Sequence, residues 1–394
     1  MRRDAVPSSP DSVVITAIAR TPLGNFLGGL KEIPAPNLGG TVIRAVTERS
    51  GLAPNQIEEV LMGCVLPANM GQAPARQAAI FAGLPVSIPC TTVNKVCGSA
   101  MKTVMLAHDS LLAGSVNIVI AGGMENMSRA PFMLSSGVRT GYRIGHQQIL
   151  DHMLRDGLED AFQGKPMGFF AESCATSCSF TRAEQDSFAL TSLERARKAI
   201  AQDKFADEIV PVGNIDTDER PGSVSPDKIP LLKPVFAENG TITAANSSSI
   251  ADGAAAVLLM RGKTATALKI RPIAKIIAHS THAQEPDNFP TAPISAIQKL
   301  LAKTGWDIAD VDLFEINEAF AVVALAAMQA LKIPHEKLNI HGGACALGHP
   351  VGATGARILV TLISALRQNN LKRGIASLCI GGGEATAIAV EMLY

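Results

Sequence analysis

The chain has 394 residues, 47 % hydrophobic and 18 % charged, enough to bury a large core and fill two or three domains. Its 35 Lys+Arg balance 35 Asp+Glu, so the formal net charge is zero, which argues against a general nucleic-acid footprint. Aromatic residues are scarce at 4 %, small and aliphatic ones dominate, and no uninterrupted apolar run reaches the length of a membrane span.

The opening stretch, Met1 to Pro10, is polar, with no apolar segment behind Arg2 and Arg3. It does not read as a secretory signal, and the expected location is the cytoplasm. The cysteines are Cys64, Cys90, Cys97, Cys174, Cys178, Cys345 and Cys379. An odd, scattered set points to a reducing compartment rather than a disulfide framework. Cys174 and Cys178 lie one helical turn apart, but no second pair stands at zinc-ligand spacing. They read as packing residues, and no metal is expected.

Ile57 to Gly63 reads as a strand. Cys97 follows in Val93-Asn94-Lys95-Val96-Cys97-Gly98-Ser99-Ala100, where an extended segment gives way to a helix. Met101, Val104, Met105, Ala107 and Leu111 repeat along that helix at helical spacing. A cysteine at such a start faces unpaired N–H groups and the positive end of the helix dipole, a setting that favours the thiolate. Taken alone, it reads equally well as a buried residue filling a tight turn. Val116 to Glu125 is a buried strand ending in Gly122 and Gly123.

From about 126 to 245 the texture changes to charged and turn residues. Thr181 and Glu184 form a capping box that opens an amphipathic helix running to Ile200, with Phe188, Ser192 and Ala196 on one face. This insert is expected to cover a site built by the flanking segments. Ala245 to Ala254 reads as another helix start. Val311 to Asn317 is a strand, His349 opens a long helix through Leu366, and Ile375 to Glu384 is a strand that again ends in glycines. The order strand, helix, strand with Gly therefore recurs, as duplicated βαβ-type halves would have it. The expected domains are residues 1–125, completed by 246–272, then a loop domain over 126–245, then 273–394.

These elements carry chemistry at corresponding points. His349 can take the proton of Cys97, and Cys379 can move a second proton from the far side of a substrate. The N–H groups at Gly381 to Gly383 can hold an oxyanion, and the amide of Asn317 can orient a water or a carbonyl. Two sulfurs and one imidazole suit acyl transfer through a thioester. Singly, His349-Pro350 could cap a helix and Asn317 could make a turn; the combination favours an active site.

Four motifs in order resemble the thiolase family, most closely its acetyl-CoA acetyltransferase branch, over nearly the whole length. They are Val93 to Ser99, Asn317-Glu318-Ala319-Phe320-Ala321, Gly342 to Gly355, and Cys379-Ile380-Gly381-Gly382-Gly383. The resemblance implies an α/β thiolase fold with a five-layered α-β-α-β-α core. It implies a ping-pong, reversible Claisen condensation of two acetyl-CoA to acetoacetyl-CoA and CoA, with coenzyme A as substrate and product and no tightly bound cofactor.

In that scheme Cys97 takes the acyl group, His349 activates it, and Cys379 exchanges the proton of the second acyl-CoA. One oxyanion hole pairs His349 with a water on Asn317. The other uses the N–H groups of Cys97 and Gly381. Ser248 matches the serine that contacts pantetheine, and Met167, Phe236, Ala319 and Phe320 match residues lining the acyl path, with Leu158 beside them.

Pro166 replaces the histidine usual in the biosynthetic branch, whereas Asp156 to Phe162 resembles that branch's loop. Ala245 and Ser249 stand where glycines are usual. Gly137 to Arg143 looks like a tetramerisation loop, so a homotetramer is expected. A degradative 3-ketoacyl-CoA thiolase for longer chains is the nearest alternative. A non-catalytic, lipid-binding relative would lack one of the four catalytic residues, and a decarboxylating ketoacyl synthase would need a second histidine.

Overall fold

The computed structural model describes residues 12–394, and the polar stretch Met1 to Pro10 lies outside them. In chain order the strands are β1 (Val13–Arg20), β2 (Gly24–Asn25), β3 (Glu59–Gly63), β4 (Cys90–Val93), β5 (Ile118–Asn126), β6 (Phe132–Leu134) and β7 (Ile149–Asp151). They continue with β8 (Ala251–Arg261), β9 (Ala274–Ala283), β10 (Leu313–Ile316), β11 (Arg373–Ile380) and β12 (Glu384–Met392). The helices are α1 (Ala35–Ser50), α2 (Pro74–Phe81), α3 (Ser99–Ala113), α4 (Met167–Ser177), α5 (Arg182–Ala201) and α6 (Arg220–Ser223). After them come α7 (Gly262–Ala267), α8 (Ala292–Thr304), α9 (Ala321–Leu331), α10 (Ala344–Leu347) and α11 (Thr354–Gln368).

Hydrogen bonds run in the order β10-β11-β12-β9-β1-β8-β5-β3-β4, with β2 on β8. The junction between β9 and β1 consists of only two paired positions, Val14 with Lys275 and Ile15 with Ala274. On either side of it the order repeats. β3 and β5 pair in parallel, β5 meets β8 antiparallel, and β8 meets β1 antiparallel. Likewise β10 and β11 pair in parallel, β11 meets β12 antiparallel, and β12 meets β9 antiparallel. The counterpart of β4 in the second half shrinks to the single parallel bridge Phe314–Leu338. α3 leads into β5 as α11 leads into β11, so the repeat seen in the sequence is a repeat of topology.

Three apolar clusters show the layers. Val42, Val46, Ala78 and Ile120 bury α1 and α2 against the first sheet half. Met101, Val104, Ile358 and Leu362 of α3 and α11 fill the space between the two halves, against Val257 and Ile388. Ala296, Ile297, Val323 and Ala327 of α8 and α9 cover the outer face of the second half. The central layer explains why β-strand residues such as Ala255, Val257, Leu378 and Ile388 are fully enclosed, since their faces pack on α3 and α11. α3 and α11 approach closely: a Cβ on Gly355 would come 2.3 Å from the backbone nitrogen of Met101.

Two readings change. Ala245 to Ala254 does not start a helix. Thr243 and Asn246 close a tight turn through Asn246 Oδ1 and Thr243 Oγ1, and the chain enters β8 at Ala251. Its Ala-rich run is helix-prone by propensity, but its place between β1 and β5 in the ladder overrides that preference. The two glycine runs also differ. Gly122 and Gly123 lie within β5, where a Cβ on Gly123 would sit 2.0 Å from the Gly352 carbonyl. Gly382 and Gly383 instead turn the chain from β11 into β12, each at φ +87°.

Candidate active site

The loop before α3 is held by its own side chains. Asn94 Oδ1 accepts from the Val96 N–H at 2.9 Å, and Ser99 Oγ accepts from the Lys95 N–H at 2.8 Å while donating to the Val96 carbonyl at 2.6 Å. Val96 is left at φ +46°, a left-handed conformation costly for a β-branched residue. The helix begins at Ser99 with Gly98 as its cap, so Cys97 stands just outside the first turn. A Cβ on Gly98 would lie 2.4 Å from Ile380 Cδ1, so this loop and the end of β11 are pressed together. Lys95 and Glu384 close the same seam with an ion pair.

That seam joins the two thiols. Burial pushes the Cys97 thiol up to about 11, although the N–H groups of Gly381 and of Cys97 itself point at the sulfur and pull the other way. The dipole argument therefore loses to desolvation, and the resting nucleophile is a neutral thiol. Cys379 is 1 % exposed; burial raises its thiol well above the usual range, and the nearby Cys97 raises it further.

His349 sits in the turn between α10 and α11 and is buried. Thr354 Oγ1 donates its single proton to the Pro350 carbonyl at 2.9 Å, so its oxygen accepts from His349 Nδ1 at 2.6 Å. That arrangement puts the ring proton on Nδ1 and the lone pair on Nε2, which is buried and unpartnered among the described residues. Burial, with a smaller contribution from Arg357, lowers the imidazole to about 3, so it is a neutral base. Asn317 follows β10, and neither Oδ1 nor Nδ2 has a partner among the described residues. A buried amide left open in this way is suited to a water or a substrate oxygen.

Two buried carboxylates position these turns, Glu125 and, within the Asn317 to Ala321 motif, Glu318. Glu125 accepts from the N–H groups of Val65, Leu66 and Gly352, tying the loop after β3 to the His349 turn; burial lifts it to about 7. Glu318 accepts from Ser192 Oγ, Asn339 Nδ2 and the Cys345 N–H, binding the Asn317 turn to α5 and α10. Asn339 also exchanges two hydrogen bonds of 2.9 Å with the backbone of Ile316. No local spacing marks these partners; Glu125 and Gly352 are 227 residues apart.

A cavity of about 680 Å³ opens beside His349. Leu158, Met167, Phe236, Ser248 and Phe320 line it, as does Arg220. Ala319 does not line it, but its carbonyl accepts from the Ser248 N–H at 2.9 Å. Phe236 and Phe320 meet edge to face at 6.1 Å, and a Cβ on Gly168 would strike the Phe236 ring at 2.2 Å. A Cβ on Gly381 would lie 3.6 Å from Met167 Cε, which places Gly381 next to the lining. A largely apolar channel that reaches His349, with Gly381 against its lining, suits a thioester on a long-armed carrier.

Residues 13–263 match the family "Thiolase, N-terminal domain" and residues 270–392 match "Thiolase, C-terminal domain", so the chain belongs to the thiolase family. It is 48 % identical to acetyl-CoA acetyltransferase 2 of Arabidopsis thaliana, with 98 % of each chain covered. It is 48 % identical to an acetyl-CoA acetyltransferase of Chromobacterium violaceum, over 96 % of this chain and 99 % of that one. A crystal structure of Acat5 thiolase from Ascaris suum in complex with coenzyme A superposes with a TM-score of 0.93 at 40 % identity. That superposition covers 97 % of this chain and 100 % of the other.

Proposed function

We propose that the protein is an acetyl-CoA C-acetyltransferase that interconverts two acetyl-CoA with acetoacetyl-CoA and free CoA. The observation carrying this reading is the seam between the two halves. There Gly381 N–H meets the Cys97 sulfur, Cys97 stands close enough to Cys379 to shift it, and His349 opens onto the channel.

The roles follow from protonation. Neutral His349 takes the Cys97 proton at Nε2 as the sulfur attacks the thioester carbon. The same proton goes to the departing CoA sulfur, leaving an acetyl-cysteine. His349, neutral again, takes the Cys379 proton, and the Cys379 thiolate removes a methyl proton from the second acetyl-CoA. That methyl carbon attacks the acetyl group, the bond from the Cys97 sulfur to the acetyl carbon breaks, and His349 returns its proton to the Cys97 sulfur. The N–H groups of Cys97 and Gly381 stabilise the acyl oxyanion, while His349 and a water on Asn317 stabilise the enolate oxygen. Ser248, Phe236, Phe320 and Leu158 would hold the pantetheine arm, and segment 126–245 would act as its cover.

Intact-mass measurement after incubation with acetyl-CoA is expected to show one acetyl group in wild type and in Cys379→Ser, and none in Cys97→Ser. Condensation should be lost in both variants. An unlabelled Cys379→Ser variant or a labelled Cys97→Ser variant would overturn the assignment.

Met167 supports short-chain preference, because its thioether fills the lining beside Gly381 where a longer alkyl tail would run. A homotetramer is supported by the hairpin β6–β7 and its excursion, which carry Phe132, Leu134, Ile149 and the 97 % exposed Ile144 into solvent. Light scattering should give a tetramer, reduced to a dimer by Ile144→Asp. The scattered, unpaired cysteines support a reducing compartment such as the cytoplasm.

A further inference from the structure

Away from the channel, α3 and β9 bring together two imidazoles and a carboxylate. His108 and Asp109 lie on α3, and His279 lies on β9. Asp109 Oδ1 is 2.8 Å from His279 Nε2 and 3.1 Å from His108 Nδ1. The two rings stand perpendicular, with centroids 5.0 Å apart. One atom from each of the three side chains falls within 4.8 Å of the others. None of the three lines the channel.

We propose that His108, Asp109 and His279 form a binding site for a divalent transition-metal cation of the zinc type. Bonds of about 2.0–2.1 Å at tetrahedral to octahedral angles set ligand atoms about 3 Å apart, the separation of Asp109 Oδ1 from an imidazole nitrogen of each histidine. Two imidazole nitrogens and one carboxylate oxygen are a donor set that such ions take. Asp109 is 56 % exposed, so water can complete the shell from the open side. Strand alternation fixes the direction of His279. Ser280 Oγ bonds the Ala296 carbonyl on α8, so the neighbouring His279 faces α3. Lys303 Nζ donates to the His279 carbonyl at 2.9 Å, which anchors its charge to the backbone. Asp109 and His279 are separated by 170 residues, so no sequence spacing reveals the set. The ion would tie the central helix layer to the second sheet half without taking part in acyl transfer.

The test uses the full chain, stripped with EDTA and titrated with Co²⁺. Wild type should bind one Co²⁺ per chain with weak visible bands and no intense sulfur-to-cobalt band, and Zn²⁺ should displace it. The absence of a sulfur band separates this site from the cysteines. Asp109→Asn and His279→Gln should each weaken binding at least about 100-fold, since even indirect partners of metal ligands are worth about 10–100-fold. Thiolysis by both variants, at wild-type rate, reports that they are folded. If either variant fails to fold, the other decides. The proposal is overturned if wild type binds no stoichiometric Co²⁺, if the folded variants bind it as tightly, or if the bound Co²⁺ shows the sulfur band.

Discussion

Cys97 and His349 rest in the protonation states opposite to those of an ion pair. With the thiol held at about 11 and the imidazole at about 3, Cys97 keeps its proton until substrate arrives. Alkylation of Cys97 by iodoacetamide should therefore keep accelerating with pH beyond 9, with no plateau near neutrality; a plateau between pH 6 and 8 would reveal a preformed thiolate–imidazolium pair. Thr354 acts on the reaction through His349. Thr354→Val removes the acceptor for Nδ1–H and leaves that donor buried, at a cost of about 1–3 kcal/mol. It should lower kcat roughly tenfold or more, bounded by the about 10²–10⁴ expected for losing a general base outright, and Thr354→Ser should restore it. An unchanged kcat and pH profile in Thr354→Val would show that the ring is held by other means. The candidate catalytic side chains are legible in the sequence, because each sits in a short motif. Val96 and Thr354 lie within those motifs, but the strain of the one and the bond of the other to His349 are not written there, and Glu125 and Asn339 work through contacts with distant segments that no motif announces.

At the scale of elements, the site depends on how closely α3 and α11 cross beneath the two sheet halves. Gly355 has no room for a methyl group against Met101, whereas a Cβ on Gly222 of α6 would meet nothing within 4 Å. Gly355→Ala should destabilise the protein by about 1–3 kcal/mol or more and depress turnover, and Gly222→Ala should change neither. Urea denaturation and thiolysis assays read both. The strands and long helices are legible from periodicity and capping, as Thr181 and Glu184 show with their reciprocal bonds at the start of α5. The run after Ala245 reads as a helix because alanine favours helices locally, while enclosure between two strands decides its state as a strand.

For the whole molecule, buried titratable groups pull stability in two directions. Burial raises Glu315 to about 8, Glu125 to about 7 and Asp252 to about 6. Between the ordinary carboxylate range, about 4, and these values, the folded chain holds protons that the unfolded chain has released. Their contribution to stability is therefore lost as pH rises toward 8. Burial lowers His349 to about 3 and His341 to about 4. Below the ordinary imidazole value of about 6.5 the unfolded chain binds protons that these folded residues refuse, so their contribution is lost as pH falls. Above about pH 6.5 the imidazole contribution is complete and only the carboxylates still titrate, so the urea midpoint should fall as pH rises from about 6.5 to 8. Glu315→Gln keeps a neutral side chain of the same shape against Arg357, so its alkaline decline should be shallower than that of wild type. An alkaline slope unchanged from wild type would show that Glu315 is ionised in the folded state.

The sequence by itself determined the family, the duplicated halves and which side chains are candidates for the reacting groups. Each of these is written in local patterns, whether apolar period, glycine runs or motifs a few residues long. Only the tertiary structure decided their chemical state and their companions. Whether Cys97 is a thiol or a thiolate depends on how much water burial removes, and that is set by packing between segments hundreds of residues apart. The same holds for the Nδ1 proton of His349, for the carboxylates that brace the catalytic turns, and for the meeting of His108 with His279. Each arises from the stacking of two sheet halves around one helical layer, a geometry that no window of the sequence contains.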